Sequence, residues 1–310
     1  MTKRGGGSRR PIILNACVDL NRWIEAGGSP EHTVRFRGMQ HRWSGFWFER
    51  HAKITAQRCA MVELPSNPVF IVGLWRTGST VLHAALSHET GWTTPRTWQC
   101  FRPADFLLMP PPTLRRAARP MDAGIVDTFS PQEDEFASLL LGEPSTYRAF
   151  IDPRRFDELT KLLADWRSPA AKANVPLSDR WETFLRAVLT EHPGPLLLKS
   201  PNHTFRLPWL AQRFPDARFL WLTRRTDDVM QSNRRMWAAM VDRYGQWRLD
   251  PAALERFLRH AVSNHDDLLD WARAAIADRL LVLHFDDVIR DTKAPVARIL
   301  EYLGAGSKLA

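Results

Sequence analysis

A short apolar run that ends in a glycine loop is the feature that most restricts how this chain can fold. Residues 68–73 read Pro-Val-Phe-Ile-Val-Gly, which is typical of a buried parallel strand, and the residues after Gly78 have the spacing of a helix. Where a strand turns through such a loop into a helix, successive backbone N–H groups point at one spot. The sequence therefore predicts an anion-binding loop over 73–80, although an ordinary strand–turn–helix corner has the same outline.

The second half of the chain alternates between apolar strands and helices. The predicted strands are 196–198, 218–223 and 280–284, and the predicted helices are 203–213, 226–240, 251–275 and 295–303. Apolar strands that alternate with helices predict an α/β fold in which a parallel sheet is flanked by helices on both faces.

Two parts of the chain do not follow this alternation. Residues 1–67 are predicted to form an N-terminal tail and a helical extension, with helices over 12–26 and 36–60. Prolines interrupt 95–135, which is predicted to be an irregular insertion into the α/β domain of 68–310. Further helices are predicted over 131–145, 154–166 and 178–192.

The spacing of Gly73 and Gly78 matches a P-loop, but the residue types differ from those of a nucleotide triphosphatase. Ser79 stands where such an enzyme has the lysine that contacts the β- and γ-phosphates beside Mg²⁺. The cation of this loop is Arg76, and an arginine can hold one phosphate or sulfate group without a metal. We therefore predict a P-loop-type sheet that binds a terminal anion, and no metal is expected.

A second anion site is predicted after the strand 218–223. Arg224 follows that strand, and Ser232 lies inside the next predicted helix. The arginine supplies charge and the serine a short hydrogen bond, so the two can converge on one phosphate. Taken alone, Arg224 fits a solvated strand end and Ser232 a helix surface, but their presence beside the glycine loop favours two anion sites.

These motifs resemble the paired anion sites of the PAPS-dependent sulfotransferases. In that family R-[ST]-G-[ST]-[ST] holds the 5′-phosphosulfate and R-x-x-x-D-V-x-x-S holds the 3′-phosphate. The donor-binding residues that the resemblance implies are Arg76, Thr77, Gly78, Ser79, Thr80, Arg224 and Ser232. The segment Lys199 to His203 is similar to K-[ST]-P-x-H of the bacterial and tyrosylprotein-type branch, and the resemblance spans 68–304.

Three features depart from the family pattern. Trp75 stands where a proline is usual, and Arg225-Thr226 where Asp-Pro is frequent. The G-x-x-G-x-W element of the cytosolic enzymes has no clear counterpart. One contact to the 3′-phosphate is therefore expected to come from elsewhere.

The resemblance implies an in-line transfer of a sulfuryl group, with Arg76 and Lys199 near the sulfate and the leaving oxygen. Related bacterial members carry a glutamate as general base where this chain has Gln99, and a neutral amide cannot accept a proton. Glu133 is in register with an acidic segment of the branch, and His203 has a suitable ordinary pKa. Glu133 is the first candidate, His203 the second and Glu135 the third.

The expected acceptor is an amphipathic hydroxylated small molecule, lipid or glycan, with the insertion 95–135 on the acceptor side. The net charge of +9 and 13 tryptophans suit peripheral contact with an anionic membrane, while the scattered arginines do not predict nucleic-acid binding. Three separated cysteines and the absence of a signal peptide or apolar membrane segment predict a cytoplasmic protein, either free or peripheral at the inner face of the membrane.

Two other functions are compatible with the motifs. A P-loop phosphotransferase would need an acidic residue after a buried strand to hold Mg²⁺, and Asp286-Asp287 after 280–284 offers a weak match. A non-catalytic nucleotide- or lipid-binding protein would explain the missing glutamate at Gln99.

Overall fold

The computed structural model describes residues 40–122, 124–163, 177–245 and 247–304. The predicted tail and the predicted helix 12–26 lie outside these residues. Six strands are described: β1 Val69–Gly73, β2 Arg116–Ala118, β3 Ile125–Asp127, β4 Leu197–Lys199, β5 Arg218–Thr223 and β6 Leu280–His284.

The main sheet confirms the predicted α/β fold. Its four strands are all parallel and lie in the order β4-β1-β5-β6, so the glycine loop after β1 has a neighbouring strand on each side. The carboxyl ends of these strands meet at one edge, where ligands bind in open parallel sheets. The loop, Lys199 and Arg224 are thereby gathered at that edge.

The helices cover both faces of this sheet. They are α1 Gln40–Arg58, α2 Ser79–Thr90, α3 Thr97–Cys100, α4 Glu135–Leu141, α5 Arg148–Ile151, α6 Phe156–Leu159, α7 Asp179–Glu191, α8 Leu207–Arg213, α9 Thr226–Tyr244, α10 Pro251–Ala275, α11 Phe285–Arg290 and α12 Lys293–Tyr302. Short 3₁₀ segments lie at Phe106–Leu108, Pro153–Arg155, Thr160–Leu163, Pro201–Arg206 and Ala277–Arg279.

The side chains of each strand alternate between two apolar cores. Phe70 and Val72 of β1 face the larger core, where they meet residues of α7 to α10, while Val69 and Ile71 face a smaller core under α2 and α12. This period of two explains why the strand sequences read as continuous apolar runs. Helix α1 packs onto the same body, because its Phe48 is fully buried in the larger core.

Three predicted helices differ from the observed ones. The helix predicted over 131–145 is only α4, because Gly142 has a left-handed φ of 85° that ends it. The stretch 154–163 is broken into two 3₁₀ segments around α6, and the helix predicted from 203 starts as the 3₁₀ segment Pro201–Arg206. The insertion 95–135 contains α3 and the hairpin β2–β3, neither of which was predicted.

Candidate active site

The loop after β1 is held by the segment that follows β4. The Thr204 hydroxyl accepts a hydrogen bond from the Gly73 N–H (2.8 Å) and donates one to the Gly73 carbonyl (2.9 Å). Gly73 has a φ of 131°, and a Cβ there would come within 2.4 Å of the Leu222 carbonyl oxygen. Only glycine fits at this corner, so the chain turns sharply away from the sheet.

The next residues turn the loop toward α2. Arg76 has a left-handed φ of 71°, and Gly78 has a φ of 85° and packs under the Phe285 ring. Gly78 is the N-cap residue and offers no side chain to cap α2, so the first N–H groups of this helix are left for an anion. The Thr77 hydroxyl is turned away, since it donates to the Leu74 carbonyl (2.7 Å).

Trp75, which replaces the proline of the related family, is fixed by packing. Its side chain is only 2% exposed and contacts Trp237 edge to face at 5.5 Å between ring centroids. Its carbonyl accepts a hydrogen bond from the Asn233 amide (2.9 Å). The loop entry is therefore held by aromatic packing and by α9.

The two predicted anion motifs lie against each other. The Arg76 Nε donates to the Ser232 hydroxyl at 3.1 Å, and an Arg224 Nη1 donates to the Arg76 carbonyl at 2.9 Å. The Arg224 guanidinium lies 3.9 Å from the centroid of the Phe285 ring, and its buried Nε has no hydrogen-bond partner among the described residues. Since buried donors are nearly always paired, this arginine has capacity for an anionic ligand.

Glu133, Lys199 and Tyr147 form a hydrogen-bonded row beside the loop. Lys199 Nζ lies 2.5 Å from Glu133 Oε1 and 3.3 Å from the Thr80 hydroxyl, and the Tyr147 hydroxyl donates to Glu133 Oε2. Burial lowers the pKa of Lys199 below its ordinary value, an effect that Glu133 opposes. Burial and the Glu133 carboxylate raise the pKa of Tyr147 well above its ordinary value, so this phenol is a proton donor in the hydrogen bond.

The other two candidate bases are enclosed. His203 is fully buried, with Nε2 at 2.9 Å from an oxygen of Asp134, and that carboxylate also accepts from the Trp181 indole (2.7 Å). Glu135 is fully buried against Arg206, whose two nitrogens lie 2.6 and 3.2 Å from its oxygens. Glu133, at 13% exposure, is the one carboxylate of this acidic segment that a substrate can reach.

The side chain of Gln99 is hydrogen-bonded at the start of α3 and lies away from solvent. Its Oε1 accepts from the Arg96 N–H (2.7 Å), and its Nε2 donates to Glu191 Oε2 (2.5 Å). The side chain is fully buried. An amide suits this position because it satisfies a donor on one side and an acceptor on the other.

Asp122 and Tyr147 are site residues that sequence reasoning missed. Asp122 lies in the turn of the hairpin β2–β3 and forms an ion pair with Arg76 Nη1 at 2.8 Å. The Asp-Ala-Gly sequence at 122–124 is a turn signal that could have indicated the hairpin, but not its contact with the loop. Nothing local in the sequence marks Tyr147.

Within the described ranges, no group of at least three His, Cys, Asp or Glu side chains is arranged to hold a metal ion. No helix within those ranges combines the length and apolar character needed to cross a membrane.

Comparison with known proteins identifies several sulfotransferases. The protein-family model described as "Sulfotransferase family" matches residues 68–306 of this chain. The omega-hydroxy-beta-dihydromenaquinone-9 sulfotransferases Stf3 of Mycobacterium bovis and Mycobacterium tuberculosis are each 29% identical to this chain over 280 residues, which is 87% of the chain and 70% of each relative.

Two solved structures share the fold. Sulfotransferase STF1 from Mycobacterium tuberculosis has a TM-score of 0.63 at 18% identity, with 92% of this chain and 80% of that chain covered. Sulfotransferase STF9 from Mycobacterium avium has a TM-score of 0.63 at 21% identity, with 82% and 68% covered.

Proposed function

The chain belongs to the sulfotransferase family, and we propose that it transfers a sulfuryl group from PAPS to a hydroxyl of an amphipathic, lipid-like acceptor. The observation that carries this proposal is the contact of Arg76 with Ser232 and Arg224, which joins two anion-binding motifs at one sheet edge. A donor with phosphate at both ends of its nucleoside part needs two such sites. A triphosphate with Mg²⁺ would need an acidic ligand, whereas β4 ends in Lys199 and β5 is followed by Arg224.

We assign the binding of the donor to residues whose polar groups remain available. The N–H groups at the start of α2, after Gly78, and the side chain of Arg76 suit the phosphosulfate end. Ser232 and the unpaired Nε of Arg224 suit the 3′-phosphate. Thr77 contributes to the shape of the loop through its bond to Leu74.

For the chemical step, the acceptor oxygen forms a bond to sulfur while the bond from sulfur to the bridging oxygen of PAPS breaks, with PAP as the leaving group. Lys199, beside Thr80, supplies positive charge near the leaving oxygen. Glu133 takes the proton of the acceptor hydroxyl. Lys199 and Tyr147 each contact one oxygen of Glu133, and each oxygen has a second lone pair that can accept a hydrogen bond from the acceptor hydroxyl.

His203 and Glu135 serve as supports of the site in this proposal. Both are fully buried and paired with charged partners, so no acceptor can approach them without opening the core. In this proposal the catalytic residues all belong to the domain of 68–310. Helix α1 contacts the insertion, since Arg58 donates to the Leu107 carbonyl (2.8 Å).

A hydroxylated lipid is the acceptor class that we favour over a glycan. The mycobacterial relatives carry the name of a hydroxylated dihydromenaquinone, which is a long apolar molecule with a hydroxyl. The insertion beside the site exposes apolar side chains, with Leu114 at 56% and Ile125 at 70% exposure. A lipid with its hydroxyl at Glu133 can rest its apolar part on such a surface.

The same surface suits contact with an anionic membrane on the cytoplasmic side. Arg115 and Arg116 are exposed next to Leu114, and basic side chains with apolar neighbours bind anionic bilayers. Sedimentation with anionic and neutral liposomes tests this point: retention on anionic liposomes that falls with salt is expected. Absence of the protein from the pellets of both the anionic and the neutral liposomes would contradict membrane contact.

Thermal unfolding in the presence of PAP, ATP or ATP with Mg²⁺ tests the donor assignment. PAP alone is expected to stabilise the protein, because a ligand that binds only the folded state raises the unfolding temperature. Stabilisation by ATP with Mg²⁺ and not by PAP would overturn the proposal in favour of a phosphotransferase.

Glu133→Gln tests the catalytic assignment. We expect PAP binding to be retained and the gain of SO₃ on an acceptor to fall by about 10²- to 10⁴-fold, which is the usual contribution of a general base. The control is Glu89→Gln on α2, an exposed carboxylate that should leave the rate unchanged. The acceptor itself is sought by mass spectrometry of host extracts incubated with PAPS and enzyme. Wild-type protein that binds PAP but sulfates nothing in these extracts would favour a non-catalytic role.

A further inference from the structure

The turn of the hairpin β2–β3 reaches the anion-binding loop from outside the sheet. Asp122 Oδ2 lies 2.8 Å from Arg76 Nη1, and Asp122 Oδ1 lies 3.3 Å from Arg119 Nε. A carboxylate thereby lies on the arginine that the donor's anion is proposed to use. The side chains remain partly open, at 23% exposure for Arg76 and 28% for Asp122.

Folding stability does not explain the contact between Asp122 and Arg76. Ion pairs that remain partly exposed contribute little to stability. The strands β2 and β3 are short, and the three residues of β2 are all exposed. A two-stranded hairpin of this kind is marginal in water, so its turn, where the partly buried Met121 packs against the larger core, can shift at small cost.

The chemistry of the Arg76–Asp122 pair is instead that of a carboxylate and an anionic ligand that compete for one guanidinium. Carboxylate, phosphate and sulfate oxygens all accept the paired N–H donors of a guanidinium in similar geometry. Arg76 already uses its Nε on Ser232 and its Nη1 on Asp122. An incoming anion at this guanidinium would therefore meet a like charge unless Asp122 leaves.

We propose that Asp122 is an internal competitor for the donor's anion and so determines donor affinity. The proposal rests on the assignment of Arg76 to the donor in the proposed function. Donor binding displaces Asp122 from Arg76, and the turn of the hairpin moves away from the loop. When the donor product leaves, Asp122 returns, which favours release of PAP.

Asp122→Asn tests the proposal, because it removes the charge and keeps the size of the side chain. We expect the dissociation constant for PAP, measured by titration calorimetry, to fall by about 3- to 10-fold, the range of a weak ion pair and a relieved repulsion. The matched control is Asp127→Asn on β3, whose carboxylate accepts from Phe129 N–H and the Ser130 hydroxyl within the same hairpin and makes no contact with Arg76. The control should bind PAP like the wild type.

Hydrogen exchange of residues 116–127 gives a second, independent measurement. PAP is expected to speed exchange there in the wild type, and Asp122→Asn should exchange fast with or without PAP. If the wild type binds PAP but Asp122→Asn binds it equally or more weakly, or if PAP slows exchange in the hairpin, Asp122 is not a competitor and the donor assignment stands. If neither protein binds PAP, the proposed function itself is wrong.

Discussion

Glu133 and Lys199 form an ion pair of 2.5 Å between the acidic segment before α4 and the end of β4. The next two acidic residues repeat the arrangement, since Asp134 pairs with His203 and Glu135 with Arg206. The three partners lie at the end of β4 and in the 3₁₀ segment Pro201–Arg206 that follows it, so successive acidic residues meet successive partners along 199–206. These three pairs fix the position of Glu133. The Glu133–Lys199 pair is the most exposed of the three and lies next to the loop after β1.

The buried Glu135–Arg206 pair is expected to be costly to break. Arg206→Met leaves the fully buried Glu135 carboxylate without its partner, and such a loss typically costs about 3–5 kcal/mol of unfolding free energy. Urea unfolding measures the loss. Arg234→Met is the control, because it breaks an exposed pair with Glu255 that should contribute less than about 1 kcal/mol. Similar losses in both variants would argue against the structural role of the Glu135–Arg206 pair.

Tyr147 is expected to position Glu133 for proton transfer. Tyr147→Phe removes the hydroxyl that donates to Glu133 and leaves the aromatic packing on Phe150, whose ring centroid lies 4.6 Å away. We expect kcat to fall by about 10- to 150-fold, equivalent to the loss of one hydrogen bond to a charged group, while the KM for PAPS is unchanged. Tyr244→Phe, at the end of α9, serves as the control. A change in KM for PAPS alone would contradict the assignment.

The left-handed Gly78 gives a prediction with a matched control in the same helix. Gly78 and Gly91 flank α2 with φ values of 85° and 63°, but a Cβ at Gly78 would lie 3.0 Å from the Phe285 ring, whereas at Gly91 it would meet nothing within 4 Å. Both alanine variants should lose about 1 kcal/mol from backbone strain. Only Gly78→Ala should also weaken PAP binding, measured by calorimetry, because the loop must shift from Phe285. Equal PAP affinity in both variants would show that the loop tolerates the shift.

Local patterns were sufficient to predict the sheet and the glycine loop that follows β1. The strands are uninterrupted apolar runs, and the loop, Arg224 and Ser232 lie in short motifs, so their spacing was readable without any long-range contact. The resemblance also gave Lys199 and Glu133 as candidate site residues. Their pairing could not be read from the sequence, because 66 residues separate them.

The insertion was the part least open to prediction. Its hairpin is held by a contact of Asp122 with Arg76, 46 residues away, and its strands have no buried face whose alternation could indicate them. The buried state of His203 also depends on distant partners, Asp134 and Trp181. A histidine beside a site motif has the same sequence signal whether it is exposed or enclosed.

Gln99 is expected to be a structural residue and not a lost catalytic one. Gln99→Glu should place a carboxylate against Glu191, which now accepts a hydrogen bond from the amide, and should cost about 1–3 kcal/mol without raising the sulfotransferase rate. The double variant Gln99→Glu, Glu191→Gln exchanges the donor and the acceptor between positions 99 and 191. It should regain most of the lost stability, measured by thermal unfolding. A rise in rate for Gln99→Glu would instead assign catalysis to this position.

His83 is expected to make the folded state sensitive to mild acid. Burial, together with the charges of Lys199 and Arg96, lowers the pKa of this histidine well below 6.5, and its Nε2 is hydrogen-bonded to the Thr94 hydroxyl at 2.6 Å. Below the unfolded-state pKa of about 6.5 the unfolded chain binds a proton that the folded chain does not, so stability falls as the pH falls.

His83→Gln removes this titration and keeps a polar group for Thr94. Between about pH 7.5 and about pH 5 the variant should lose about 1–2 kcal/mol less unfolding free energy than the wild type, measured by urea unfolding at each pH. His88→Gln, at an exposed position of the same helix, should leave the pH dependence unchanged. If His83→Gln and the wild type lose stability in parallel, the proton that destabilises the protein in acid is taken up elsewhere.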